Sequence, residues 1–126
     1  MHHVIISLAA NRFQKKNLSK ARHCLEEILS DIHITTEHWT TPIGNSPRHD
    51  AYLNQLVAGQ TPLDEKSLTE WLKQTEVNFG RTEAKKRLGI VPIDLDLMLF
   101  DGQRRHERDW ERPYIKCLIT EITDTK

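Results

Sequence analysis

Ile93-Asp94-Leu95-Asp96-Leu97-Met98-Leu99-Phe100 decides how the rest of this sequence is read. Ile93, Leu95, Leu97 and Leu99 recur at every second position. In an extended strand those four share one face, which points to a core, and Asp94 and Asp96 share the other. Like charges on one strand face repel and lower β propensity. A strand that keeps both implies a cation beside them. Oxygen ligands alone point to a hard ion, Mg²⁺ first, which takes one or two carboxylates together with substrate phosphates. The plainer alternative is a half-buried strand with a solvated acidic face, because Asp-x-Asp is a short motif.

Working outward, the 126 residues are enough for one domain that buries about two-thirds of its unfolded surface. Lys and Arg number 18, and so do Asp and Glu, a balance that argues against a general nucleic-acid or membrane binder. The charge is nevertheless clustered. Arg81, Lys85, Lys86 and Arg87 precede the acidic strand, and Arg104, Arg105, Arg108 and Arg112 follow it. Two cysteines, Cys24 and Cys117, are too few and too far apart for a disulfide framework or a zinc site. The apolar run from Val4 to Ala10 is too short for a membrane span and lacks a cleavage pattern, so the cytoplasm is the expected compartment.

Taken in order, Val4 to Leu8 reads as a buried strand. Leu18, Ala21, Leu25, Ile28 and Leu29 have helical spacing, with Asn17 or Ser19 as the cap. Ile32 to Trp39 is rich in β-branched residues and reads as a second strand. Thr41 to Pro47 is a loop by its Pro, Gly, Asn and Ser content. Tyr52 to Ala58 is a third strand, expected to end at Gly59. Asp64 caps a second helix that carries Leu68, Leu72 and Phe79 on one face, with Trp71 beside them and Gly80 as its stop. Arg81 to Gly89 has good helix formers but little apolar face. After the acidic strand, Asp101-Gly102 is a turn signal, and Leu118, Ile119 and Ile122 mark a last short apolar element. The order strand, helix, two strands, helix, strand is the split β-α-β pattern of an α+β, ferredoxin-like fold: β-α-β-β-α-β, an antiparallel sheet with helices on one face. That fold hosts many activities, so the pattern does not give function.

The residues that carry a resemblance are Asn11, Thr41-Pro42-Ile43-Gly44, Tyr52-Leu53-Asn54, Gly80-Arg81 and the strand Asp94 to Phe100. In that order, from about Val4 to Pro113, the chain resembles the 6-hydroxymethyl-7,8-dihydropterin pyrophosphokinases of folate biosynthesis. The resemblance implies a ferredoxin-like fold and transfer of pyrophosphate from ATP to the pterin hydroxymethyl group, with release of AMP. It implies that Asp94 and Asp96 hold two Mg²⁺ ions on the ATP phosphates and, with Arg81, make up the catalytic set. Glu76, Arg81, Arg87 and Tyr114 would line the ATP side. Thr41, Pro42, Ile43, Tyr52 and Asn54 would bind the pterin. The expected partners are those two small molecules, with no nucleic acid or membrane and a monomer favoured.

The departures from the family pattern carry expectations too. The first strand ends Ala9-Ala10-Asn11 in place of Gly-Ser-Asn. Val91 stands where the family has an arginine that touches the phosphates. The family's His-Tyr pair near the nucleotide is matched only by Pro113-Tyr114, and the single domain, residues 1–126, ends short of a typical member. These features keep two rivals in play: a noncatalytic member that binds nucleotide or pterin without turnover, and a ferredoxin-like interaction module whose acidic face is simply solvated. His49 and His106 fall in expected loops, and no role follows for them.

Overall fold

A computed structural model of the chain describes residues 1–41 and 50–123. Pro42, Ile43 and His49 lie outside the described residues, as does most of the loop expected over 41–47. Within them, β1 (His2–Ala10), α1 (Gln14–Leu25), β2 (Ser30–Ile34), β3 (His38–Thr40), β4 (Tyr52–Thr61), α2 (Glu65–Asn78), α3 (Glu83–Arg87), β5 (Asp94–Phe100), β6 (Gln103–Arg104) and α4 (Pro113–Thr123) follow in order, with a 3₁₀ turn at Glu107–Glu111 before α4. The sheet is antiparallel throughout. Its strands run β2-β4-β1-β5-β6, and β3 extends the β2 side along β4. This is the expected ferredoxin-like arrangement.

The apolar character of β1 follows from its central position, with one face under helices and Ile5 on the other face buried as well. Val4, Ile6, Leu8 and Ala10 join Leu18, Ala21 and Leu25 of α1, Leu68 and Leu72 of α2, and Ile93, Leu95 and Leu97 in one core. Ile5 faces the other way, into a second core with Leu56, Ala58, Met98, Trp110, Ile115 and Leu118. The first two helices cover one face, as expected. The last apolar element is α4, which covers part of the opposite face. Pro113 starts it, in the first turn, where a missing N–H costs no intrahelical bond.

Several local readings change. Helix α1 starts at Gln14 behind Phe13, whose backbone is left-handed at φ 44° and whose side chain makes no cap bond. Asn17 is therefore inside the helix, not its cap. Its buried amide donates to the carbonyls of Arg12 at 2.8 Å and Pro92 at 2.9 Å, so it serves tertiary structure instead. The strand expected over 32–39 is broken at Thr35 to Glu37. Thr35 bridges the break: its N–H donates to the Leu56 carbonyl and its hydroxyl accepts from the Leu56 N–H, each at 3.0 Å. Strand β4 continues through Gly59 to Thr61. A Cβ at Gly59 would lie 3.1 Å from the Ser30 carbonyl oxygen, so this glycine marks a close approach of β2 and not a strand end. Asp64 does cap α2, accepting from the Ser67 N–H at 2.8 Å, and Gly80 follows that helix at φ 93°.

Leu99 is the main correction to the acidic strand. The register against β1 pairs Ile6 with Leu97 but Ile5 with Leu99, so Met98 is an extra residue, a β-bulge. The bulge puts Met98 and Leu99 on the same side, and both pack in the second core, while Ile93, Leu95 and Leu97 stay in the first. Two donors hold the bulged carbonyl: Met98 O accepts from the Arg105 N–H at 2.9 Å and from Trp110 Nε1 at 3.1 Å. Beyond it, Asp101 (φ 48°) and Gly102 (φ 82°) form the two-residue hairpin their sequence signals.

Replacing Asn17 by Ala orphans the buried Pro92 carbonyl and loosens the segment before β5. We expect a loss of about 2 kcal/mol, the usual range for a buried polar group left unpaired. Urea unfolding should move to a lower midpoint with an unchanged slope.

Candidate active site

The site begins with strand register. Asp94 faces Ala9 of β1, which faces Asn54 of β4, which faces His38 of β3, so these four make one row across the sheet. One row on, Asp96 faces Ser7. Ala9 and Ser7 are small in the middle strand of the sheet, and so the floor is sunk between Asp94 and Asp96 on one side and Tyr52 and Asn54 on the other. Thr40, Thr41, Asp109, Arg112, Tyr114 and Ile115 wall it, giving a cleft of ≈ 250 Å³. A second cleft of ≈ 250 Å³ opens along the edge of β5, between Thr69, Leu72 and Lys73 of α2, Leu95 and Leu97 of β5, and Arg105 and His106. Asp96 lines both.

Carboxylates dominate the junction. Arg81 Nη1 lies 2.9 Å from Asp94 Oδ1 and 3.0 Å from Glu76 Oε2. The same Glu76 oxygen accepts the Leu95 N–H at 2.8 Å, on the open edge of β5. Burial raises the Glu76 pKa in spite of these partners. Arg81 is held above its ordinary value: burial works against its charge, but the Asp94 hydrogen bond and the charges of Asp94, Glu76 and Asp96 outweigh it. Asp96 is pushed up to about 7, first by burial, then by the charge and hydrogen bond of Asp94, then by Glu76 and Asp109. His106 Nε2 lies 3.9 Å from Asp96 Oδ1, a long contact that is an ion pair only when the imidazole is protonated. Arg112 is engaged by Asp109 at 3.1 Å. Burial raises the pKa of Tyr52 and of Tyr114, so both present neutral phenols to the cleft.

Most of the expected residues meet here, with changes of place. Asp94, Asp96, Thr41, Tyr52 and Asn54 line the first cleft. The Asn54 amide nitrogen is already used, donating to the His38 carbonyl at 2.9 Å, the Thr40 hydroxyl at 2.8 Å and the Tyr52 carbonyl at 3.3 Å. Glu76 and Arg81 support Asp94 from behind. Arg87 is exposed at the end of α3 and lines neither cleft. Tyr114, expected on the nucleotide side, stands in the cleft with Tyr52 and Asn54, its ring stacked on His38 at 6.2 Å between centroids. The sequence gives His106 no role, leaves Asp109 unmarked and offers Arg112 only as one member of a basic cluster. A usable signal was present: Pro113 as a helix start would have put Arg112 and Tyr114 together at the head of α4.

Asp94 and Asp96 fit a hard divalent ion. Both are oxygen donors, they share one strand face, and Asp96 is buried beside further acids, which raises its pKa. Among the described residues, no group of three or more His, Cys, Asp or Glu could hold a metal ion. Two carboxylates alone suit magnesium bound together with phosphate oxygens.

A family model described as 7,8-dihydro-6-hydroxymethylpterin-pyrophosphokinase matches residues 5–124. The chain belongs to this family. Among curated proteins, it is 33% identical to the folate synthesis bifunctional protein of Arabidopsis thaliana, over 86% of this chain and 22% of that protein. The mitochondrial folate synthesis bifunctional protein of Pisum sativum is also 33% identical, over 97% of this chain and 25% of that one. The Chlamydia caviae folate synthesis bifunctional protein is 27% identical, over 81% and 25%. The chain thus spans about a quarter of the length of these relatives. Family membership accounts for the ferredoxin-like core. Among the described residues, no helix is long and apolar enough to cross a membrane.

The acidic junction has a pH signature. The folded-state pKa of Asp96, about 7, lies above its unfolded value near 3.8. Its contribution to stability is therefore fully present below about pH 4 and is lost as the pH rises through 7. Without divalent ions, Asp96→Asn should gain on wild type across that window and level off above it. Urea unfolding in chelator from pH 4 to 8 checks this, and a gap that stays constant with pH would show that Asp96 does not titrate so. Adding Mg²⁺ should narrow the gap at pH 8.

Proposed function

We propose that the chain transfers pyrophosphate from ATP to the hydroxymethyl group of 6-hydroxymethyl-7,8-dihydropterin in folate biosynthesis, acting as a single cytoplasmic copy. The observation that carries this reading is the meeting of two clefts at Asp96. A two-substrate transfer needs each substrate held on its own side, with the reacting atoms brought together at the boundary. The first cleft suits a flat heterocycle: the Tyr52 and Tyr114 rings offer apolar faces, and with its N–H groups committed, Asn54 has a carbonyl oxygen to accept a ring N–H. The second cleft suits the nucleotide, with Leu72 and Leu97 for the base, Lys73 for charge and His106 for hydrogen bonding.

In the reaction, the acceptor hydroxyl oxygen bonds to the β-phosphorus of ATP. The bond from that phosphorus to the oxygen bridging to the α-phosphate breaks, AMP leaves, and the hydroxyl proton is released. Positioning and charge neutralisation supply most of the catalysis in such transfers. Asp94 and Asp96 would hold magnesium, two ions in this reading, which shields phosphate charge and orients the oxygens. Arg81 keeps Asp94 in place and offsets its charge, though two acids already share that guanidinium. Arg112 is the cation of the first cleft wall and can exchange Asp109 for a phosphate oxygen.

Val91 bears on the rival reading. Asn11 binds this residue through its main chain alone, accepting the Val91 N–H at 2.6 Å and donating its own N–H to the Val91 carbonyl at 3.0 Å. The family's arginine is therefore missing from a segment that is otherwise firmly held, which favours slow turnover with binding retained. The test is AMP release at saturating dihydropterin and Mg²⁺-ATP. Wild type should turn over, Asp96→Asn should not, and Arg112→Ala should lose about 10²–10³ in rate, as when one transition-state donor is removed. Val91→Arg should raise the rate. Wild-type AMP release at the level of a protein-free blank, with both ligands bound, would favour the noncatalytic member instead.

A further inference from the structure

We propose that Glu121 is a positioning residue whose carboxylate clasps Thr36 and so fixes the separation of the two walls of the first cleft. The assignment rests on the reading that this cleft takes the dihydropterin.

The clasp joins elements far apart in sequence. Glu121 Oε1 accepts the Thr36 N–H at 2.7 Å, and Oε2 accepts the Thr36 hydroxyl at 2.8 Å. Thr36 lies in the break between β2 and β3. A break in a strand leaves an N–H without a ladder partner, and here a carboxylate from α4 takes it. Both oxygens are used on one residue, so the bond defines a direction as well as a distance.

That direction matters because of what each partner carries. Thr36 is two residues before His38 and four before Thr40, which lines the cleft. Glu121 is seven residues, about two helical turns, after Tyr114, and so shares its helix face. Tyr114 stacks on His38 at 6.2 Å. Helix α4 is thus tied to the β3 side of the cleft at two points about 10 Å apart along its axis, the ring contact and the clasp. Leu118 is buried between them in the second core. Two ties on either side of a packed residue set the angle of the helix. With the clasp gone, α4 can pivot about Leu118, and Tyr114 moves relative to Tyr52 and Asn54. Thr36 is exposed and Glu121 half-buried, so the clasp adds little to global stability, and its leverage falls on the position of Tyr114.

Three variants test this: Glu121→Gln and Thr36→Val, which break the clasp, and Thr36→Ser, which keeps both donors. Two readouts apply, proton–proton Overhauser contacts between the His38 and Tyr114 rings in the free protein, and calorimetric Kd values for dihydropterin and Mg²⁺-ATP. In Glu121→Gln and Thr36→Val the ring contacts should weaken and dihydropterin affinity should fall about ten-fold. Mg²⁺-ATP affinity and Tm should stay as in wild type, and Thr36→Ser should match wild type throughout. Unchanged ring contacts and dihydropterin affinity in both clasp-breaking variants would overturn the proposal. So would a joint fall of both affinities with Tm, which marks a purely structural role. If wild type binds neither ligand, the proposed function fails, and the ring contacts alone decide whether the clasp sets the wall.

Discussion

Asp94 and Asp96 sit on one face of a strand, one pleat apart, and their mutual repulsion is the constraint that the rest of the molecule accommodates. Each side of β5 answers it differently. Behind Asp94, Arg81 is held between two acids, and Glu76 spends one oxygen on both Arg81 and the Leu95 N–H. That arrangement holds Asp94 in place and offsets part of its charge. Asp96 has no such partner, and burial with the charges around it raises its proton affinity. One carboxylate of the pair is thus held by protein, and the other is left poised for a ligand that brings positive charge.

The bulge at Met98 extends the same logic. Without it, Met98 and Phe100 would follow Asp96 on the cleft face and Leu99 would face the first core. With it, Met98 and Leu99 turn together toward α4, and Phe100 returns to the first core. The bulged carbonyl in turn receives the indole of Trp110 and the N–H of Arg105. Those two bonds fix the start of the segment 105–112, which delivers His106, Asp109 and Arg112 to the clefts. One extra residue in a strand therefore covers half of the second sheet face with α4 and leaves the other half open as the site.

What was legible in the sequence is what depends on period and on short-range chemistry. The alternation of β5 up to Leu97, the apolar stripe of α2, the Asp64 cap and the Asp101-Gly102 hairpin all follow from local rules, and Tyr52-Leu53-Asn54 located a cleft wall. Long-range hydrogen bonding decides the rest. Asn17 looks like a cap by type, but a carbonyl 75 residues away takes its amide. Gly59 looks like a strand end by type, but β2 passes too close for a side chain there. Leu99 obeys the alternation in sequence and breaks it in space, because the bulge is set by donors that come later in the chain. Tyr114 is assigned to the nucleotide side only through the resemblance of Pro113-Tyr114 to a family pair, and local rules say nothing of the contact its ring makes with His38 from across the sheet.

Arginines illustrate why charge counted along a chain differs from charge available at a site. The second basic cluster holds four residues, yet Arg105 is forked onto Glu65 with two bonds of 2.8 Å, and Arg104 lies over the Trp110 ring at 4.5 Å. Arg112 alone of the four lines the first cleft, and Asp109 already holds it. A guanidinium that exchanges a carboxylate for a phosphate gains only the difference between two charge-assisted contacts. A phosphate bringing its own magnesium changes that difference, because the metal takes up the negative charge that would otherwise be added beside Glu76, Asp94, Asp96 and Asp109. In the proposed transfer, the acid-rich junction would favour a metal-bound nucleotide over a bare one, and the cations around it would act in concert with that metal and not in its place.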